Sequence, residues 1–183
     1  MCDSEEDKYW QDFIEGDLNA LSVLFLHYAK GLVSYGMKIC PDEELVKDSI
    51  QEVFILLILK KSTLKHNDNI KGFVYRLLRN KMMDEIKRKS RSKKIDNLIF
   101  DAGCCSEMDV EHHLIGLEEE SRRNDLLTSA LNQLSAHQKE VMFLKYSNGL
   151  NYEQISQVMG ISIASSRTLL YRTLKQMKAS MKI

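Results

Sequence analysis

The chain has 183 residues, 44% of them hydrophobic, and its 26 basic and 26 acidic side chains leave no formal net charge. This composition is typical of a folded protein with one ordinary domain or two small ones, and it excludes wholesale disorder. No apolar run approaches the roughly 20 residues of a membrane span, the acidic start is unlike a signal peptide, and four cysteines without framework spacing favour a reduced, cytoplasmic protein.

The first predicted helix begins after Asp17, a good N-cap residue, and its apolar residues recur at the spacing of one buried stripe. That stripe consists of Leu21, Leu24, Phe25, Tyr28, Leu32 and Tyr35. Gly36 and Pro41 are expected to end or interrupt this helix. The acidic run that begins at Asp42 then suits the N-terminus of a second helix. The core positions of that helix are Val46, Ile50, Val53, Phe54 and Leu57.

The opposite face of the second helix combines polar and apolar residues. Asp48, Gln51 and Glu52 are followed on this face by Ile55 and Leu59. Because exposed apolar patches usually mark an interface, the face is predicted to bind a protein partner. The alternative is that the two aliphatic residues pack beneath the N-terminal helix.

Residues 60–70 are predicted to form a loop, and a third helix begins near Lys71. Its predicted core positions are Phe73, Val74, Leu77 and Leu78. The helix continues into the most basic part of the chain, because residues 71–95 carry 10 basic and 2 acidic side chains. A block of one sign in a neutral protein indicates binding to a polyanion.

On this basic helix, Arg76, Asn80 and Lys87 share a face, with Tyr75 and Arg79 beside them. Cations interleaved with an aromatic ring and an amide suit single-stranded or distorted DNA, since bases stack on rings and phosphates meet cations. The alternative is a solvated, charged helix end.

An acidic segment follows the basic block. Residues 96–125 carry 9 acidic and 2 basic side chains, and glycines and paired cysteines interrupt any apolar stripe. We therefore predict an all-α fold of two small helical domains, residues 1–95 and 123–183, joined by an acidic linker at residues 96–122. The segment, including Glu118, Glu119 and Glu120, is also expected to mask the basic helix when no partner is bound.

The second domain is predicted to contain four helices. The first carries Leu126, Leu127, Ala130, Leu131 and Leu134. Ser135 with Gln138 forms a capping box for the next helix, which Asn148 and Gly149 end. Asn151 with Gln154 opens a third helix, Gly160 turns the chain, and Ser162 caps the fourth.

The last two of these helices have helix-turn-helix spacing. The N-terminal residues of such a second helix reach base edges in the major groove, and Arg167 is the only charged residue there. Ser166 stands where a branched apolar residue is usual, which predicts a weaker packing contact. The alternative is a structural helical hairpin without a ligand.

In these motifs the chain resembles bacterial sigma factors of the extracytoplasmic-function family, over almost its full length. The D-x-x-Q-E-x-F pattern is present as Asp48, Gln51, Glu52 and Phe54, and a second pattern as Phe73, Tyr75, Arg76, Asn80 and Asp84. Leu131, Leu134 and Gln138 match the pattern that precedes the family's helix-turn-helix, and the tail ISIASSRTLLYRTLKQMK is similar to the versions found in Bacteroidetes.

The resemblance implies a non-enzymatic subunit, without cofactor or metal, that binds core RNA polymerase and directs it to particular promoters. Docking on the β′ clamp helices would involve Asp48, Gln51, Glu52, Phe54 and Ile55. Melting of the −10 element would involve Tyr75, Arg76, Arg79, Asn80, Lys87, Arg88 and Arg91. Reading of the −35 element, beside the β flap, would involve Ser162, Ser165, Arg167, Thr168, Tyr171 and Arg172. An anti-sigma factor is a further implied partner, and no membrane insertion is expected.

Two other classes of function compete with this interpretation. A stand-alone helix-turn-helix regulator would usually dimerise on a palindrome, and the chain has no evident heptad helix for that purpose. A metalloprotein would use Cys104, Cys105, His112 and His113, but adjacent pairs are poor tetrahedral spacing. No constellation of catalytic residues is evident.

Overall fold

The computed structural model describes residues 3–64, 69–92 and 119–181, and in these ranges the protein is helical without any strand. The α-helices are α1 Asp3–Glu15, α2 Leu18–Ile39, α3 Glu43–Leu59, α4 Ile70–Ser92, α5 Glu119–Asn132, α6 Ala136–Met142, α7 Tyr152–Met159 and α8 Ile163–Ser180. A 3-10 turn, Lys61–Thr63, follows α3, and a π-helical segment, Phe143–Ser147, follows α6. The prediction of an all-α fold is confirmed.

Capping side chains determine where most of the predicted helices begin. The backbone N–H of Asn19 donates to Asp17 Oδ1 at 2.8 Å before α2, and that of Leu45 donates to Asp42 Oδ1 at 3.1 Å before α3. Full capping boxes precede α6 and α7. Each cap satisfies backbone donors that have no partner within the helix, so the chain enters its helices where the sequence indicates.

The prediction that Gly36 ends or interrupts the first helix is wrong. Helix α2 continues to Ile39, and the chain leaves it just before Pro41. A Cβ added at Gly36 would lie 2.6 Å from Cγ1 of Val46. Glycine is therefore present because α2 and α3 approach closely there, which outweighs its low helix propensity.

Helix α1 is absent from the sequence-based expectations. Its Trp10 and Phe13 are fully buried, with ring centroids 5.6 Å apart, and Trp10 lies 6.5 Å from the ring of Phe73 on α4. The helix thus completes the core of the first domain, α1–α4. That core also contains Leu24, Leu32, Val46, Val53, Leu57, Val74, Leu78 and Met82.

In the second domain, α5–α8, the turn between α7 and α8 has the predicted chemistry. Gly160 adopts φ 67°, a left-handed conformation that glycine adopts without strain, and the N–H of Ile161 donates to the carbonyl of Ser156 at 3.1 Å. Ser162 Oγ accepts from the N–H of Ser165 at 3.0 Å and so starts α8. Helix α5 begins at Glu119, inside the segment predicted as a linker.

The two domains pack against each other, with α4 lying along α7. A Cβ added at Gly72, near the start of α4, would lie 3.1 Å from the Cα of Gln154 on α7. Gln154 Nε2 donates to Asn69 Oδ1 at 2.9 Å at the same place. The basic helix of the first domain is therefore partly covered by the second domain. No helix within the described ranges is long and apolar enough to cross a membrane.

Candidate functional site

The outer face of α3 is exposed, as its mixed composition predicts. Ile55 and Leu59 are 53% and 73% exposed, so in this arrangement they do not pack beneath the N-terminal helix. Asp48 and Gln51 are also exposed, and Glu52 forms an ion pair with Lys81 of α4. Large aliphatic side chains beside carboxylates form a surface that a partner helix could cover.

Phe54 differs from the other residues assigned to this face. Its ring is buried and packs edge-on against Phe25 of α2, with centroids 4.9 Å apart. A surface cavity of about 340 Å³ lies between α2 and α3; its lining residues are Leu21, Ser22, Phe25, Leu26 and Phe54. Phe54 thus supports the face from beneath, and Leu26 on the cavity rim is exposed.

The predicted −10 residues of α4 divide into two groups. Asn80, Lys87 and Arg88 are exposed, and Arg88 donates to Glu85 Oε2 at 2.6 Å. Arg76 lies over the ring of Phe73, 5.2 Å from its centroid. The Arg91 side chain lies outside the described residues. Asn80, Lys87 and Arg88 thus lie on an exposed part of α4, whereas Arg76 is only partly exposed.

Tyr75 and Arg79 form the second group, because both are in the contact between the domains. Tyr75 is buried, and its hydroxyl accepts a hydrogen bond from Asn148 Nδ2 at 3.0 Å. The same amide donates to the carbonyl of Gly31 on α2 at 3.2 Å. Burial raises the pKa of the Tyr75 hydroxyl, so it stays neutral. Sequence reasoning placed Tyr75 and Arg79 on a DNA-facing surface, and in this arrangement protein covers them.

Arg79 makes the most buried charge contact between the domains. Its Nε donates to Glu140 Oε1 at 2.7 Å and its Nη2 to Oε2 at 3.3 Å, while the Tyr35 hydroxyl donates to Oε1 at 2.7 Å. The Arg79 and Glu140 side chains are 18% and 3% exposed. The hydrogen bond to Glu140 raises the pKa of Arg79, and burial raises that of Tyr35. We call Tyr35, Arg79 and Glu140 the interdomain cluster.

Glu140 and Asn148 are the residues of this contact that sequence reasoning missed. A signal for Glu140 exists, since residues 126–183 contain only two acidic residues, Glu140 and Glu153, against seven basic ones. Glu140 falls at a helix position next to buried Val141, where an acid requires a partner. Nothing in the sequence indicates that the partner is Arg79, 61 residues earlier.

The predicted recognition helix α8 presents its first turns to solvent. Ser162, Ser165, Arg167 and Thr168 are all exposed, and farther along so are Tyr171 and Arg172. Two of the hydroxyls are used locally, since Ser162 Oγ and Ser165 Oγ lie 2.8 Å apart in the cap. Thr168 Oγ1 likewise donates to the carbonyl of Ala164 at 2.9 Å. These three side chains are therefore poorer DNA donors than their residue types suggest.

Arg167 lies over an aromatic ring. Its guanidinium carbon lies 5.4 Å from the ring centroid of Tyr152, the first residue of α7. Ser166 beside it is fully buried, and its hydroxyl donates to the carbonyls of Ile163 at 2.8 Å and Tyr152 at 3.3 Å. The small residue is thus part of the close contact between α7 and α8, with a bonded hydroxyl in place of branched apolar packing.

No group of three or more potential metal ligands occurs in the part of the chain that the structure describes. Cys104, Cys105, His112 and His113 lie outside the described residues, as do the side chains of Glu118, Glu119 and Glu120.

Comparison with known proteins identifies both domains. Residues 24–92 match the family model for sigma-70 region 2, and residues 124–177 match that for sigma-70 region 4. The chain is 21% identical over 156 residues to the ECF RNA polymerase sigma factor SigM of Bacillus subtilis, covering 85% of this chain and 91% of that protein. It is 25% identical over 149 residues to a probable RNA polymerase sigma factor of Haemophilus influenzae, covering 74% and 76%.

Solved structures resemble the whole fold. CnrH in complex with the cytosolic domain of CnrY superposes with a TM-score of 0.64 at 17% identity, covering 97% of both chains. The sigma factor RpoE of Bartonella quintana, in complex with the anti-sigma factor NepR, gives a TM-score of 0.62 at 18% identity, covering 88% of this chain and 96% of that one.

Proposed function

Because the chain belongs to the sigma-70 family and is an extracytoplasmic-function sigma factor, we propose that its exposed α3 face binds core RNA polymerase while α4 and α8 contact the two promoter elements. The observation that carries this proposal is the outer face of α3, where Ile55 and Leu59 remain exposed beside polar residues. Exposed apolar patches bordered by polar residues usually mark a protein–protein interface.

Polymerase docking would involve Asp48, Gln51, Glu52 and Ile55 directly. The apolar residues supply buried area, and the carboxylates supply charge complementarity to a basic partner helix. Phe54 would act indirectly, by supporting the face from the core. The clamp helices of β′ are the proposed partner surface, and the β flap is the proposed partner of the second domain.

Recognition of the −10 element would begin with the exposed part of α4. Asn80, Lys87 and Arg88 combine an amide with two cations on one exposed stretch of helix, which suits a melted strand. Arg76 and Arg91 would add phosphate contacts. Arg79 would join them only after the domains separate, since Glu140 of the second domain pairs with it in the observed arrangement. Tyr75 is bonded to Asn148 and also packs against Tyr35 of its own domain, so its ring would become accessible only if the first domain also rearranged.

Recognition of the −35 element would rest on α8. Arg167 can address guanine with two donors, and its guanidinium lies over the ring of Tyr152 in the observed arrangement. Tyr171 and Arg172, one turn farther along the helix, are placed for backbone phosphates. Ser162, Ser165 and Thr168 would contribute mainly through the cap and the helix backbone.

Several finer features belong to the same proposal. We propose domains at residues 1–95 and 123–183 with the acidic linker at 96–122, and residues 91–120 as the first site of limited proteolysis. The two solved relatives are bound to partner proteins, one of them named an anti-sigma factor, and this supports an anti-sigma partner here. The protein would act in the cytoplasm without catalysing a reaction of its own. The likeness of the tail to Bacteroidetes versions stays a prediction.

Run-off transcription with core polymerase tests the proposal directly. Adding the protein to core enzyme should give discrete transcripts whose mapped starts share −10 and −35 sequences, and core enzyme alone should not. A stand-alone regulator would instead bind a duplex tightly without polymerase and give no new transcripts. Tight, polymerase-independent binding to a palindrome would contradict the sigma mechanism proposed for these surfaces.

A further inference from the structure

Resting on the −35 contact proposed for α8, we infer that this helix reads the methyl group of a thymine through Ile163, beside the guanine that Arg167 addresses. The preferred −35 element then carries a thymine within about two base pairs of a guanine.

The hydroxyl groups at the start of α8 are already engaged within the protein. Those of Ser162 and Ser165 lie 2.8 Å apart, and Ser162 also accepts from the backbone N–H of Ser165 at 3.0 Å. Thr168 donates to the carbonyl of Ala164 at 2.9 Å, and the buried Ser166 donates to two carbonyls. A hydroxyl that bonds its own helix has to give up that bond before it can donate to a base.

Ile163 is an apolar side chain in the part of α8 that would enter the groove. It is the first residue of the helix and is 38% exposed, and Ala164 beside it is exposed as well. The N-terminal residues of a recognition helix are those that contact base edges. Because an aliphatic side chain neither donates nor accepts a hydrogen bond, Ile163 favours a base that presents an apolar group.

Thymine is the base that presents such a group. In the major groove its C5 methyl stands beside a single acceptor, whereas cytosine presents an amino donor in the corresponding region. Contact between Ile163 and the methyl group removes two apolar surfaces from water. Cytosine in the same place would lose water from its amino group without gaining a hydrogen bond, which is unfavourable.

Arg167 indicates where this thymine should lie. It is the only charged residue in the segment 163–170, and its guanidinium suits guanine. Residues four apart share a helix face and are separated by about 6 Å along the axis. Since base pairs follow one another at about 3.4 Å, Ile163 and Arg167 reach base pairs about two steps apart or closer.

The experiment removes the methyl group from the DNA. Duplexes are selected from a random pool by the protein bound to core polymerase and, separately, by the protein alone. Each thymine of the selected element is then replaced singly by deoxyuridine, which pairs as thymine does but lacks the methyl group, and competition binding gives the affinity. One replacement near the guanine should weaken binding about fourfold, the effect of leaving one methyl group unburied.

Variants of the protein assign the effect to one side chain. Ile163→Ala should bind the thymine duplex about fourfold more weakly and should no longer distinguish it from the deoxyuridine duplex. Ile163→Val keeps a branched aliphatic side chain and should retain the discrimination. Leu174→Ala is the matched control, because Leu174 is 40% exposed on the same helix but lies about three turns beyond Ile163. This control should keep the full difference between the two duplexes.

Two results would overturn the inference. One is that no deoxyuridine replacement weakens binding of the wild type, a measurement that uses the unaltered protein and so does not depend on how a variant folds. The other is that discrimination survives in Ile163→Ala, since another side chain would then contact the methyl group. Circular dichroism checks that each variant is helical.

Run-off transcription separates this result from the proposed function. If the selected duplexes show the methyl effect but the protein gives no transcripts with core polymerase, the sigma mechanism fails and the thymine contact stands. If promoters are transcribed without any methyl effect in their −35 elements, the thymine contact fails and the proposed function stands.

Discussion

Truncating Ile55 to alanine should weaken polymerase binding without unfolding the protein. The side chain is 53% exposed, so about half of its surface is free for a partner to cover. Fully burying an isoleucine side chain contributes roughly 1.5–3 kcal/mol, and the exposed half therefore contributes about 1 kcal/mol to docking. That free energy corresponds to an affinity loss of about fivefold. Adding Leu59→Ala, at a 73% exposed position, should bring the total loss to roughly 50-fold if the neighbours act almost independently.

The assay is direct titration of labelled protein with core RNA polymerase, beside urea unfolding of each variant. Exposed substitutions usually change stability by less than about 0.5 kcal/mol, so the unfolding curves should nearly coincide. Leu18→Ala is the matched control, since this residue is 57% exposed at the start of α2 and is not part of the α3 face. Wild-type core affinity for the double variant, or an equal loss in Leu18→Ala, would refute the assignment of the α3 face.

Three further changes test other parts of the structure. Arg167→Ala should lower transcription from −35-dependent promoters by the equivalent of about 1–3 kcal/mol per lost base contact, with core affinity unchanged. An unaltered promoter preference in run-off assays would reject the contact. Ser49→Ala should stabilise the protein by up to about 1 kcal/mol in urea unfolding, because the buried Ser49 hydroxyl has no hydrogen-bond partner within the described residues, and a clear loss of stability would indicate an unseen bond. The hydrogen bond from Lys89 holds the pKa of Asp42 below its usual value. The ionised Asp42 should therefore stabilise the fold fully at neutral pH, and this stabilisation should be lost as the pH falls through the lowered pKa. Asp42→Asn should remove this part of the acid sensitivity, and an unchanged acid-unfolding curve would contradict the assignment.

The features that sequence predicted well are those fixed by neighbouring residues. Asp17, Ser135 and Asn151 start helices because each side chain bonds backbone groups two or three residues away, and such chemistry is visible in the sequence. The exposed aliphatic pair on α3 was predicted for a similar reason, since a regular helix fixes which residues share a face.

The features that were missed depend on distant parts of the chain. Helix α1 has only a short apolar pattern, and Trp10 becomes a core residue through its contact with Phe73. Glycine has a low helix propensity, so local reasoning predicts a helix end at Gly36, but the close packing of Gly36 against Val46 keeps it within α2. The bond between Asn148 and Tyr75 depends on how the second domain packs on the first, and a single sequence carries no information about contacts between residues 73 positions apart.

The burial of Trp10 gives this protein a built-in spectroscopic probe. It is the only tryptophan in the chain, and its fully buried ring contacts Phe13 of α1 and Phe73 of α4, both in the first domain. Separation of the domains leaves these two contacts in place, so the emission maximum should stay blue-shifted when the domains separate. Loss of the first domain's core exposes the indole to water and moves the emission to longer wavelength. A single fluorescence measurement can therefore distinguish a molecule that has opened from one that has unfolded.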